Sequence, residues 1–238
     1  MPEQIDKLRE LKDKPRSERL QVLCDFDAYD YQQTLLDRSE NIVKAAVKPG
    51  RQVGKTVTGG AIAADEGIRG SDVMILAPYE DTAEEMMEAF RNHVLKAKDR
   101  LQGTKVNIGF DKQNKTEWEF SSGGRVRSRT VGTDGTQIRG KNPNVVLVDE
   151  AAYIKDSVFT EVIEPFFSTH ESYQFYLFST PAGKSGYFYE KVVQDDSWFS
   201  PHWASRICPQ ITDEFLAEKK EQLDSLTYAQ EYLGEFVD

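Results

Sequence analysis

Short, strongly apolar runs alternate along the chain with longer stretches whose apolar positions recur at helical spacing. Residues 41–47 (NIVKAAV), 73–77 (VMILA), 145–148 (VVLV) and 173–178 (YQFYLF) are predicted to be strands. The last two are too apolar for a sheet with one wet face, so helices are expected on both faces. Between them, residues 55–68 (KTVTGGAIAADEGI) predict a helix rich in small residues. Residues 81–97 predict a second helix, N-capped at Asp81 or Thr82, with Glu84 and Glu85 favourably placed in its first turn. Residues 116–120 and 125–130 alternate in character across Ser-Ser-Gly-Gly and predict a hairpin. Thr212 opens a polar helical segment running to the C-terminus. Residues 3–23 set Ile5, Leu8, Leu11 and Leu20 among charges, as an amphipathic helical arm interrupted near Pro15. Strands alternating with helices give an α/β class with a mainly parallel sheet. The chain divides into an N-terminal helical arm (1–28), a core (29–210) and a C-terminal helical lid or linker (211–238).

Composition narrows this picture. Of 238 residues, 39% are apolar and 11% aromatic, enough for one large domain with a buried core. The formal charge is −10, which excludes a generally cationic coat for nucleic acid; any DNA contact must use a local patch. Residues 211–238 hold eight acids and two bases, a net of −6, leaving only −4 for the other 210. The acidity therefore marks where DNA should not bind. Cys24 and Cys208 are far apart, and with His93, His170 and His202 they make neither a metal spacing nor a disulfide framework. No apolar run approaches the ~18–20 residues of a membrane span, and the charged N-terminus is no signal peptide, which predicts a soluble intracellular protein.

The chemistry begins at residues 48–56 (KPGRQVGKT), between a predicted strand and a predicted helix. This is the context of a phosphate loop: the N–H groups of Gly50, Gln52, Val53 and Gly54 and the helix N-terminus converge on an anion. Lys55 would reach the β- and γ-phosphates and the Thr56 hydroxyl would ligate Mg²⁺. Where the common pattern has its first glycine this chain has Pro49, with Gly50 one step later. About ninety residues on, the apolar run 145–148 ends in Asp149 and Glu150, two carboxylates at the C-terminal edge of the sheet. Asp149 would hold Mg²⁺ through a water, and Glu150 would orient and deprotonate the attacking water. Taken alone, such a pair is also a common helix start.

Taken together, these residues resemble the ATPase domain of large terminase subunits, the motors that package DNA in tailed phages and related viruses. Four features carry the resemblance: the loop Gly50-Arg51-Gln52-Val53-Gly54-Lys55-Thr56 with its Arg-Gln pair; Tyr31-Gln32, similar to the family's adenine-binding pair; the strand ending in Asp149-Glu150; and Phe178-Ser179-Thr180-Pro181-Ala182-Gly183, which resembles the coupling motif. Arg139-Gly140 also matches a family pattern. The resemblance covers roughly residues 25–238. It implies a P-loop additional-strand (RecA-like) ATPase fold, with ATP and Mg²⁺ as cofactors. It implies translocation of double-stranded DNA into a procapsid, with the portal protein, the small terminase subunit and copies of itself in a ring as partners, in the host cytoplasm and with no membrane.

The resemblance also implies residue roles. Gln32 would read the adenine edge with Tyr31 packed nearby, although Tyr31 is equally an ordinary half-buried aromatic. Arg51 would act on the γ-phosphate from within the chain, the alternative being a solvated loop arginine. Arg139 would act in trans on a neighbour's nucleotide, or serve as a structural ion-pair partner. Ser179 and Thr180 would sense the γ-phosphate, or simply end a strand. Arg125, Arg127 and Arg129 share one face of a predicted strand and would either track a phosphate backbone or form a solvated, charge-protected edge. A complete large terminase resembles two engines, and the C-terminal nuclease is expected to be absent here. A helicase-like ATPase is the competing enzyme class, and a nucleotide-dependent assembly module with vestigial hydrolysis the competing non-enzyme.

Overall fold

The four apolar runs lie side by side at the centre of one sheet. The computed structural model describes residues 11–104 and 107–238. Among these, eight strands are found: β1 (Lys44–Pro49), β2 (Asp72–Ala77), β3 (Phe110–Gln113), β4 (Glu117–Phe120), β5 (Arg125–Thr130), β6 (Val145–Asp149), β7 (Gln174–Phe178) and β8 (His202–Trp203), in the order β3-β4-β5-β2-β6-β7-β1-β8. From β5 to β8 every pairing is parallel; β3 and β4 add an antiparallel edge, and β4–β5 is the expected hairpin. The helices are α1 (Arg16–Cys24), α2 (Asp30–Arg38), α3 (Lys55–Ile68), α4 (Glu80–Arg100), α5 (Tyr187–Val193), α6 (Asp213–Gln222) and α7 (Ser225–Tyr228), with short turns of α, π and 3₁₀ type over residues 156–169.

Successive residues of a strand point to opposite faces, and each face has its own core. Val73, Ile75, Val145, Leu147, Tyr176 and Phe178 pack with Leu20, Leu35, Ile62, Met86 and Phe90 of α1–α4. Met74, Leu76, Val146, Val148, Phe175 and Leu177 pack on the other side with Phe159, Ile163, Phe188 and Trp198. Coverage of both faces is thus as the apolar strands require. The small residues of α3 let α4 come close: a Cβ added to Gly60 would lie 2.6 Å from Ala89 Cβ.

The strand order also settles the fold class. β1 leads into the phosphate loop and β6 carries Asp149, and β7 is inserted between them. This is the additional-strand arrangement. Register brings their carboxyl ends level, with Val47 and Asp149 both opposite Phe178. Whatever follows these three strands therefore meets at one edge of the sheet.

Several local expectations are corrected. Helix α4 starts at Glu80 with Tyr79 as its N-cap and no side-chain cap, so Asp81 and Thr82 lie inside it. The link from β2 is only Pro78 and Tyr79, and Glu80 and Asp81 in the first turn meet the helix dipole in place of a side-chain cap. The C-terminal segment is not one helix: Leu223 is extended between α6 and α7, where Asp224 accepts hydrogen bonds from the Leu226 and Thr227 N–H groups. The basic stripe on β5 is tied down. Arg125 and Arg127 donate to Asp72 (2.6 and 2.8 Å), Arg129 lies 3.5 Å from Glu117, and Arg127 is buried. The Arg125 and Arg127 guanidiniums are held by carboxylates, which leaves them unsuited to tracking a phosphate backbone. The N-terminal arm is built into the core from α1 onward, just after Pro15, with Leu20 and Cys24 buried; its residues 1–10 lie outside the described residues.

Candidate nucleotide site

β1 ends at Pro49, which pairs with Trp203 of β8, and the chain turns into the loop. Gly50 donates to the Trp203 carbonyl (2.7 Å) and Arg51 N–H to the Glu231 carbonyl (2.7 Å). A Cβ on Gly50 would come within 2.6 Å of the Tyr232 carbonyl oxygen and 2.7 Å of Ser205 Oγ. Proline is tolerated at the first loop position because the close approach that demands a glycine falls at Gly50. Gln52 (φ 60°) and Gly54 (φ 78°) adopt left-handed conformations, and Gly54 is the N-cap of α3. The Gly50 and Arg51 N–H groups are thus spent on Trp203 and Glu231, which corrects the expectation that the Gly50 amide cradles phosphate; the amides left for an anion are those of Gln52, Val53 and Gly54, at the start of a fourteen-residue helix.

These residues line a cavity of about 770 Å³. Its lining is the loop from residue 50 to 57 and, opposite, Tyr79, Thr82, Glu150, Tyr153 and Thr180, with Glu231 and Tyr232 on the C-terminal side. Lys55 reaches across to the β6 carboxylates. Its ammonium is 2.8 Å from Asp149 Oδ1 and donates to Glu150 Oε1. Burial alone would lower the Lys55 pKa, but Asp149 and then Glu150 outweigh it and hold the ammonium above its ordinary value. Glu150 itself sits at φ 51°, ψ 44°, a left-handed conformation uncommon for a residue with a side chain and a recurrent feature of functional sites. Its N–H donates to Asp149 Oδ1 (2.9 Å), and Ser179 Oγ lies 3.4 Å from Glu150 Oε2.

Asp149 is fully buried, and its Oδ2 has no hydrogen-bond partner. A buried, unpartnered carboxylate oxygen is costly. Thr56 follows Lys55, the residue that pairs with Asp149, on the first turn of α3 and lines the cavity. A carboxylate and a hydroxyl, completed by phosphate oxygens and water, are the donor set of a nucleotide-bound Mg²⁺, so the residues fit the ion. Among the described residues no group of three or more His, Cys, Asp or Glu gathers.

Other predicted residues stand back from the cavity. Tyr31 OH donates to the Val53 carbonyl (3.0 Å); Gln32 Nε2 approaches the same carbonyl (3.4 Å), and Gln32 Oε1 accepts from Tyr29 N–H (3.0 Å). Gln32 is buried, and neither side chain lines the cavity, so both brace the loop from behind. Arg51 is 60% exposed, and its guanidinium is paired with Glu231. Ser179 is buried at the end of β7, while Thr180 reaches the lining. Arg139 follows a 3₁₀ turn outside the cavity, 53% exposed and 3.8 Å from Glu161. Tyr79 and Tyr153, both exposed, are lining residues that sequence reasoning missed; nothing in their spacing marked them.

Comparison with known proteins places this geometry. The family model described as terminase large subunit, T4likevirus-type, N-terminal, matches residues 48–238. A search of curated proteins finds no match. Among solved structures, the ATPase domain of the Thermus phage P74-26 large terminase is 24% identical, with a TM-score of 0.73 over 94% of this chain and 100% of that one. The HK97 bacteriophage large terminase is 13% identical (TM-score 0.69), and 94% of this chain corresponds to 56% of that one. The large terminase of the thermophilic bacteriophage D6E in complex with ATP-γ-S is 14% identical (TM-score 0.62), over 87% of this chain and 52% of that one. The chain thus spans about half the length of the full-length terminases it resembles. With the family model covering the sheet from the phosphate loop to the C-terminus, the chain belongs to the large-terminase family, as its N-terminal, ATP-hydrolysing motor domain.

Proposed function

We propose that this domain hydrolyses ATP with Mg²⁺ to drive double-stranded DNA into a procapsid, working in the host cytoplasm as a ring of copies on a portal protein alongside a small terminase subunit. The observation that carries the chemistry is the cavity in which Lys55, on the phosphate loop, faces Glu150 and the buried, half-unpartnered Asp149.

The phosphates of ATP compete with Asp149 and Glu150 for the Lys55 ammonium. Once Lys55 turns to them, the Glu150 carboxylate is released to accept a proton from a water aimed at the γ-phosphorus. Ser179, in reach of Glu150, orients that carboxylate. Thr56 and Asp149 would hold Mg²⁺, which supplies neutralisation of phosphate charge when bound. Arg51, on leaving Glu231, places a cation on the γ-phosphoryl oxygens. Tyr31 and Gln32 act on the nucleotide by fixing the loop through Val53. Arg139 is exposed and weakly paired, so it is available to a neighbouring copy's site.

The test is steady-state phosphate release by wild type, Glu150→Ala and Lys55→Ala, with nucleotide binding followed in parallel. Glu150→Ala keeps binding and loses turnover, while Lys55→Ala weakens both. Unchanged turnover in Glu150→Ala discards the mechanism. Turnover rising steeply with protein concentration supports completion of the site between copies.

A further inference from the structure

Arginines 16 and 19 lie on α1, far in sequence from the nucleotide loop, yet both are buried, at 1% and 4% exposure. A fully buried guanidinium is rare and must find partners for its donors. Arg16 finds them on three separate elements. Nε donates to Asp65 Oδ2 (3.0 Å) and Nη2 to Glu66, both in the last turn of α3. Nη1 donates to Ser39 Oγ, just after α2, and to Tyr176 OH (3.2 Å). Nη2 lies 3.4 Å from Gln174 Oε1. Tyr176 and Gln174 belong to β7 and hydrogen-bond each other, and Gln174 Nε2 donates to Glu66 Oε1 (3.0 Å). Arg19 grips both oxygens of Asp65 and reaches Glu40 (2.8 Å).

The charges make this tie necessary. Carboxylates in the last turn of a helix oppose its dipole, so Asp65 and Glu66 disfavour the C-terminal end of α3 unless cations answer them. Those cations come from α1. The opposite end of α3 is the phosphate-binding end, carrying Lys55 and Thr56. β7, the other element held by Arg16, ends at Phe178 and leads directly to Ser179, 3.4 Å from Glu150 Oε2, and to Thr180 in the cavity lining.

Given the hydrolytic site proposed above, we infer that Arg16 is a positioning residue for hydrolysis: its fork locks the helix that holds the phosphates to the strand that orients Glu150, so that the two move as one body. A lysine cannot replace it, because a single ammonium lacks the planar fork that reaches Asp65, Glu66, Ser39 and Tyr176 together.

The experiment compares wild type, Arg16→Lys and the double variant Tyr176→Phe/Gln174→Leu. The double variant cuts the strand side of the tie and leaves the Arg16 contacts with Asp65 and Glu66. Thermal midpoint, Kd for ATP, KM and kcat are measured well below each midpoint. In both variants kcat falls tenfold or more while Kd stays within threefold, because the loop still binds but Ser179 and Glu150 lose their register with it. A merely structural role lowers the midpoint and leaves kcat and Kd of the folded protein within twofold; that result overturns the inference. If Arg16→Lys does not fold, the double variant decides alone. Wild-type turnover in the same assay separates failure of this tie from failure of the hydrolytic reading itself.

Discussion

His93 makes the phosphate-loop helix sensitive to acid, by an amount that follows from its surroundings. The imidazole lies on α4, is 5% exposed, and meets the Phe26 ring edge-on at 5.0 Å. Nε2 is 3.2 Å from the Val57 carbonyl in the first turn of α3, while the buried Nδ1 has no partner. A carbonyl only accepts, so Nε2 carries the proton and Nδ1 is a bare acceptor. Burial holds the ring neutral and lowers its pKa from 6.5 to about 4; Val57 opposes the shift and nearby Lys96 adds to it. Because the folded pKa is the lower one, the unfolded chain binds more protons below pH 6.5. The contribution is intact above that pH and is lost as pH falls towards 4. The limiting loss is about 3 kcal/mol, of which about 1 kcal/mol has gone by pH 5.5, still above the pI near 5.0. Urea unfolding of wild type and His93→Gln at pH 7.5 and 5.5 isolates it, since other groups titrate alike in both. Wild type is predicted to lose about 1 kcal/mol more than the variant. Equal losses would refute the assignment of a neutral, buried His93.

Further outcomes follow from single contacts. Gly60→Ala drives a methyl into Ala89 and the Phe90 backbone and should cost about 1–3 kcal/mol, read as a lower unfolding midpoint with unchanged m-value. Arg51→Ala should lower hydrolysis by about 10³-fold or more; a change below tenfold makes it a loop arginine. Asp149→Asn should raise the Mg²⁺ concentration needed for half-maximal turnover, and an unaltered Mg²⁺ titration would remove Asp149 from the metal site.

How much of this was legible in the chain varies with the range of the forces involved. Buried central strands announce themselves through apolar residues in sequence, and residues 145–148 and 173–178 were found to within a residue or two. The phosphate loop and Asp149-Glu150 were legible because their chemistry fixes residue types at fixed spacing. Short edge strands were not: Phe110–Gln113 pairs with the adjacent Glu117–Phe120 and His202–Trp203 with the distant Lys48–Pro49, and neither shows alternation of its own. Helix α2 was missed for a related reason, since only Gln32, Leu35 and Leu36 of its nine residues are buried. Arg16 and Arg19 read as the wet face of an arm, because the carboxylates that let them be buried lie some fifty residues away. The β5 arginines left the choice between a phosphate track and a charge-protected edge open for the same reason: Asp72, which holds two of them, sits on a neighbouring strand. Gln32 was placed on the nucleotide, whereas its amide is spent on Tyr29 and Val53.

The claim that Glu150 is the base, held by Lys55 until phosphate displaces it, is tested most directly by binding and turnover on one sample of Glu150→Gln. The amide keeps the shape but neither attracts Lys55 as strongly nor accepts a proton. ATP should then bind at least as tightly as to wild type, while single-turnover hydrolysis falls by about 10²–10⁴-fold. Hydrolysis within tenfold of wild type, at unchanged ATP affinity, would contradict the account.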